Sequence, residues 1–206
     1  MYTPPHFKEE DWTEISKIIR ENGFGILITS KDSIPVGTHI PVELVKKENG
    51  THVLQGHVAK ANEQWKIFEQ CEQALIIFSA QHHYISSSWY KNRSVPTWNF
   101  IAVHVYGKMR IVNEDELRSS LKSLTEHYES FSVNPDSIDK MPQDYIDKLI
   151  KSVVGFEMTM DKVEAKFKLS QNKDDNDYRN VITELKKLDD WNAVKVVEEM
   201  EKRRKV

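Results

Sequence analysis

The passage that most limits what this chain can fold into is "WNFIAVHVYGKMRIV", residues 98–112. Ile101, Val103, Val105, Met109 and Ile111 fall on one side of a period-two pattern, and Phe100, His104, Tyr106, Lys108 and Arg110 on the other. Alternation of that length marks a long strand with one face in a core. Further strands are expected at "FGILITS" (24–30), "PVGTHIPVELV" (35–45), "THVLQGHVA" (51–59), "ALIIFSA" (74–80), "HYISSSWY" (83–90) and "VVGFEMTM" (153–160). Within 35–45, Val36, Ile40, Val42 and Leu44 share a face, and Pro41 argues for an edge strand or a bulge. Asn49-Gly50 is a hairpin turn.

Helical spacing joins Trp12, Ile15, Ile18 and Ile19, and Asn22-Gly23 ends that helix. Asn62 can cap a short helix over 63–72. Asn113 and Glu116 form a capping box ahead of the stripe Leu117, Leu121, Leu124 and Tyr128. Residues 130–141 read as a loop, after which Pro142 can start a helix. Two amphipathic helices close the chain, one through Tyr178, Val181, Ile182 and Leu185, the other through Ala193, Val196, Val197 and Met200. About seven strands are joined by short turns, not by regular strand–helix crossovers. That predicts an α+β class: a mostly antiparallel sheet or barrel with peripheral and C-terminal helices.

Composition narrows the function. At 206 residues, 39% hydrophobic and 30% charged, the chain fits one soluble globular domain, with room for an appended subdomain. No apolar run approaches the ~20 residues of a membrane span, and the N-terminus does not read as a secretion signal. Cys71 is the only cysteine, which fits a reducing cytoplasm. A net charge of -3 argues against polyanion binding by bulk electrostatics, so any basic site must be local. The usual nucleotide loops, hydrolase elbows and zinc signatures are absent.

Three stretches can carry chemistry. In "QGHVAKANEQW" (55–65) a strand gives way to a helix N-terminus beside His57, Lys60 and Asn62, a combination that suits a phosphate. It equally fits an ordinary junction with an exposed lysine. "SSSWYKNRSVPTWNF" (86–100) puts Ser86 and Ser88 on one face of an expected strand, followed by Trp89, Tyr90, Thr97, Trp98 and Asn99. A planar polar ring needs such apolar faces and hydrogen-bonding groups, and a tryptophan-rich core hairpin would use the same residues. In "EAKFKLSQNK" (164–173), Lys166, Lys168 and Ser170 share a face if extended, as they also would on a solvated edge strand. The eight histidines show no compact ligand spacing, so no metal site is expected. The basic tail "EKRRKV" (201–206) reads as a solvated helix end or a DNA contact, and the acidic Asp189-Asp190 junction argues against a helix-turn-helix.

Taken in order, "MYTPPHF", "THIPVEL" (38–44), "GHVAKANEQW" (56–65), "YISSSWY" (84–90), "VPTWNFIAVHVYGKMRI" (95–111) and "VGFEMTMDKVEAKFKLSQNK" (154–173) resemble the PaiB family. These are FMN-binding split-barrel proteins described as negative transcriptional regulators of protease synthesis and sporulation in bacilli. The resemblance implies a split β-barrel over 1–172, like that of flavin reductases and pyridoxamine-phosphate oxidases. A helical insertion would lie near 113–151, and a helical extension over 173–206 would pack on the barrel. It implies a homodimer with FMN near the subunit interface. Ser86, Ser88, Trp89, Tyr90, Thr97, Trp98 and Asn99 would wall the flavin site. His57, Lys60 and Asn62 would lie near the phosphate or ribityl end, and Lys166, Lys168 and Gln171 would close the site. A cytoplasmic repressor is the reading this favours over an enzyme, with DNA binding resting on resemblance alone. A flavin-dependent oxidoreductase or flavin reductase, or a haem-handling split barrel, is the alternative.

Overall fold

The computed structural model describes residues 1–92 and 94–204; Arg93 of the aromatic loop and Lys205 and Val206 of the basic tail lie outside the described residues. Along the chain come β1 (Lys8–Glu9), α1 (Trp12–Glu21), β2 (Phe24–Lys31), β3 (Ile34–Lys46), β4 (His52–Ala59), β5 (Ala74–Ile85), β6 (Thr97–Gly107), β7 (Met109–Ile111), α2 (Glu114–Glu129), α3 (Gln143–Lys151), β8 (Val153–Thr159), β9 (Lys162–Lys168), α4 (Asp175–Leu185) and α5 (Trp191–Arg203). The class is α+β, with every recorded strand pairing antiparallel among the described residues. Two compact units divide it: residues 1–18, 78–104 and 164–206, and residues 19–77 and 105–163. Among the described residues no helix is long and apolar enough to cross a membrane.

In the first unit the strand order is β1–β9–β6–β5. β9 is therefore not the edge that its alternating lysines suggested, since β1 covers it with Lys8 opposite Lys166. The inward residues Ile101, Val103, Phe167 and Leu169 are buried, each worth roughly 1.5–3 kcal/mol of transfer free energy. α4 and α5 bury Tyr178, Val181, Leu185, Ala193, Val196 and Met200. The Tyr178 hydroxyl donates to the Met200 carbonyl at 2.8 Å, and burial pushes its pKa up to about 12. Arg203, near the end of α5, donates to Glu9 at 2.6 Å and lies 4.2 Å from the Phe167 ring centroid.

The second unit runs β5–β2–β3–β4–β8–β7. Asp32 and Ser33, at φ 52° and 63°, close the β2–β3 hairpin in two residues, the left-handed geometry that matches strand twist. β3 has a different recorded neighbour along each half, so Pro41 sits where the strand is paired on one side, as an edge position would be. Residues up to Pro41 pair with β2, and from Val42 onward the partner is β4. A residue without an N–H is tolerated at that handover because the ladder changes there anyway. The long strand over 98–112 is interrupted at Lys108. Gly107 lies so close to the Thr159 backbone that β6 ends there and β7 restarts at Met109.

Other local differences have local causes. "HYISSSWY" is not a separate strand: β5 continues to Ile85, and Ser87–Trp89 is a 3-10 turn whose cap is Ser86. Ser86 and Ser88 therefore do not alternate along a strand. The helix expected over 63–72 is a five-residue 3-10 turn, Glu63–Ile67, capped by Asn62. Gln64 explains the shortening. Its buried amide donates to Thr29 Oγ1 and to the Val36 carbonyl, both at 3.1 Å, and this ties the first turn to the sheet. Among the described residues nine strands replace the seven expected: 83–90 is absorbed into β5 and the turn after it, while β1, β7 and β9 are added.

The capping box at α2 forms as its spacing predicts. Arg110 donates to both Glu116 oxygens, at 2.9 and 2.6 Å, and with the Asn113 N–H it holds the Glu116 carboxyl down to about 2. A depressed carboxylate pKa contributes stability that is present above the unfolded value of about 4.5 and lost as pH falls through about 2. Urea denaturation across that window should show the loss. Glu116→Gln, which can still close the cap, should flatten it.

Candidate functional site

In the first unit, β6 and β9 bring a set of cations and hydroxyls together. Lys168 Nζ donates to Thr97 Oγ1. Lys166 Nζ donates to the Tyr2 carbonyl at 3.1 Å and lies 5.3 Å from the Phe100 ring centroid. Lys173 Nζ donates to Ser94 Oγ at 3.0 Å and lies 4.2 Å from the Tyr90 ring centroid. None of the three ammoniums pairs with a carboxylate among the described residues. Burial, then the charges of Lys166 and Lys173, lower the Lys168 pKa. A group whose cationic form is disfavoured by like charges is one that an incoming anion would relieve.

Tyr90 is buried, and its hydroxyl has no hydrogen-bond partner among the described residues. Burial and the Asp177 carboxylate raise its pKa. Leaving such a hydroxyl unmet costs roughly 1–3 kcal/mol. Trp98 stands half exposed on β6, edge-on to Tyr84 at 5.9 Å and 6.0 Å from the His82 ring. The indole therefore offers a face to solvent, which a core hairpin would not do.

Other expected residues in this unit do structural work. Asn99 is fully buried, donating to Met200 Sδ at 3.6 Å and accepting from Ser170 Oγ at 3.1 Å. Ser170 does not continue the face of Lys166 and Lys168. It sits at φ 64°, a left-handed position that turns the chain inward. Gln171 closes this turn, its amide accepting from the Leu169 N–H at 2.7 Å and donating to the Phe167 carbonyl at 2.5 Å. The turn also returns Lys173 towards Ser94, which is why a period-two reading of 164–173 missed that lysine. Ser86 Oγ accepts from the Ser88 N–H at 3.2 Å and lies 2.8 Å from Ser88 Oγ. Trp89, half-buried, ends the same turn.

His57, Lys60 and Asn62 belong to the second unit. The Asn62 side chain is engaged within the fold: Oδ1 accepts from the Gln64 N–H at 3.1 Å, and Nδ2 donates to Thr38 Oγ1 at 2.9 Å. The Lys60 backbone is fixed by Ser152 and by the Trp65 indole, while its ammonium is exposed and unpaired among the described residues. The 3-10 turn is too short for the helix dipole expected there; of the nearby cations Lys66 is paired with Glu63, which leaves Lys60 as the unpaired one among the described residues. His57 is half-buried on β4 and lines a cavity under α2 and α3, and burial lowers its pKa. Among the described residues no three His, Cys, Asp or Glu side chains gather where they could hold a metal ion.

The fold has solved counterparts. An FAD and heme binding protein from Mycobacterium smegmatis superposes with a TM-score of 0.59, covering 84% of this chain and 78% of its own at 11% identity. The flavocytochrome Anf3 from Azotobacter vinelandii does so at 0.58, covering 84% and 75% at 16% identity. At those identities the likeness shows the fold: an antiparallel α+β split barrel with outer helices. The chain belongs to the PaiB-type family described as "Putative FMN-binding domain", which matches residues 1–162. It is 40% identical over 201 residues to "Protease synthase and sporulation protein PAI 2" of Bacillus subtilis (strain 168), covering 98% of this chain and 97% of that one.

Proposed function

We propose that this chain is an FMN-binding transcriptional regulator of PaiB type, working as a cytoplasmic homodimer with the flavin near the subunit interface. The observation that carries the flavin reading is the set of three uncompensated lysines, Lys166, Lys168 and Lys173. FMN has a dianionic phosphate, a hydroxylated chain and a flat tricycle, and this face suits all three. The ammoniums suit the phosphate. The Thr97 oxygen suits the polyol, and the exposed indole of Trp98 suits the ring. When bound, FMN would supply one- and two-electron redox chemistry; this chain's residues hold and orient it. The regulatory half of the reading is supported by the 40% identity, over almost the full length of both chains, to the sporulation protein.

The test is direct. Protein purified without added flavin, or reconstituted with FMN, should absorb near 450 nm and elute as a dimer. It should also retard DNA from upstream of a protease gene with an affinity that falls steeply with salt. A colourless protein that fails to take up FMN contradicts the cofactor reading. No retardation at low salt contradicts the regulatory one. Bleaching of the bound flavin by NADH with turnover would move the protein to the oxidoreductases.

A further inference from the structure

Within the second unit a cavity of about 270 Å³ lies between β4, the start of β8 and the helices α2 and α3. Leu121, Ile138, Met141, Ile146, Leu149 and Ile150 form its apolar wall. An engineered cavity of about 150 Å³ with such a lining holds benzene, so this one has room for a larger ring. No lysine, arginine, aspartate or glutamate lines it. A charged guest would lose its hydration with nothing to pair against.

Three polar groups line it, and their hydrogen-bonding roles differ. Thr125 Oγ1 already donates its proton to the Leu121 carbonyl at 2.8 Å, and Ser152 Oγ donates to the Leu149 carbonyl at 2.6 Å. Both hydroxyls can therefore only accept. Neither ring nitrogen of His57 has a partner among the described residues. Burial favours the neutral imidazole, which offers one donor and one acceptor. The wall is thus mostly apolar, with one unpaired donor–acceptor group and two spare acceptors.

We propose that this cavity binds a small, neutral, largely apolar molecule carrying one hydroxyl or N–H group, of about phenol or indole size, anchored by His57. Every residue lining it belongs to the second unit, and its occupant is a second ligand rather than part of the flavin. A guest here would fill space between α2, α3 and the β4–β8 pair, stabilising the segment between β7 and β8.

Calorimetric titration of the full chain with phenol, and separately with toluene, tests this with and without saturating FMN. Phenol should bind one to one at millimolar concentration or below, unchanged by FMN, and should shift the His57 imidazole resonances. His57→Phe keeps a ring at the position but removes the anchor. It should weaken phenol about tenfold, the worth of one hydrogen bond, and leave toluene within about twofold. Should that variant fail to fold, the imidazole shifts in the unaltered protein decide alone. Absence of phenol binding, equal effects of His57→Phe on both guests, or displacement of phenol by FMN would each overturn the proposal.

Discussion

Replacing Gly107 with alanine lowers the melting temperature by about 6–20 °C. A Cβ on Gly107 would stand 1.8 Å from the Thr159 carbonyl oxygen and 2.7 Å from its carbon. Those are backbone atoms and cannot rotate aside. Nor can Thr159 retreat freely. Its N–H donates to the Lys108 carbonyl at 2.9 Å, and its Oγ1 accepts from the Lys108 N–H at 2.9 Å. Relieving the overlap means parting β8 from the β6–β7 link and losing these bonds. The expected cost is roughly 3–5 kcal/mol, the range reached when backbone positions are forced apart. For a chain of this size each 1 kcal/mol moves the melting point by about 2–4 °C. Gly37→Ala is the control: the nearest atom to its added methyl would be Ile26 Cγ2 at 4.0 Å, and its melting point should stay within about 2 °C. Scanning calorimetry on the two variants separates a close-approach requirement from a general cost of strand alanine. A Gly107→Ala protein that melts with the control removes the explanation for the break at Lys108.

Lys168→Met should change affinity and stability in opposite directions. A lysine hydrogen-bonded to a phosphate contributes roughly 1.5–3 kcal/mol, so FMN affinity should fall by about tenfold to a hundredfold. The ligand-free protein should gain, because the cationic form of Lys168 is disfavoured by burial and by Lys166 and Lys173. Its folded pKa lies below the unfolded value of 10.5, so the wild type gains stability as pH rises through the folded value towards about 10.5. Methionine fills the space without that cost. A rise in melting temperature of about 2 °C at neutral pH is expected, together with loss of the alkaline gain. Fluorescence titration with FMN and thermal melts over pH measure both effects. A variant that is less stable and still binds FMN normally would mean that Lys168 serves only to hold Thr97.

Why some of this was legible in the sequence and some was not comes down to the range of the interactions. The alternation over 98–112 located β6 because side-chain period is a local property. The Asn113–Glu116 box likewise fixed the start of α2 from four residues. Pro41 was read through its own missing N–H, and what decided its place was a change of partner strand between Phe24 and Gly56. The 3-10 turn after Asn62 was set by Gln64 reaching Thr29 and Val36, residues far away in sequence. Lys166 and Lys168 were found by alternation, whereas Lys173 was not, since the left-handed Ser170 breaks the period. A serine followed by a glutamine that can close its own turn was the available signal. Asn99 and Gln171 carry polar groups that would suit a site, but those groups are spent on Met200, Ser170 and the turn. His57 shows the same limit. Its strand position was clear, but the cavity beside it depends on where α2 and α3 come to rest.

Comparing FMN with riboflavin, which lacks only the phosphate, tests the central claim most directly. If the three uncompensated lysines of the first unit hold the phosphate, fluorescence quenching should show FMN binding about a hundredfold more tightly at low salt. The preference should shrink to about tenfold or less in Lys168→Met. Equal affinities for the two flavins, or a preference for FMN that Lys168→Met leaves intact, would contradict it.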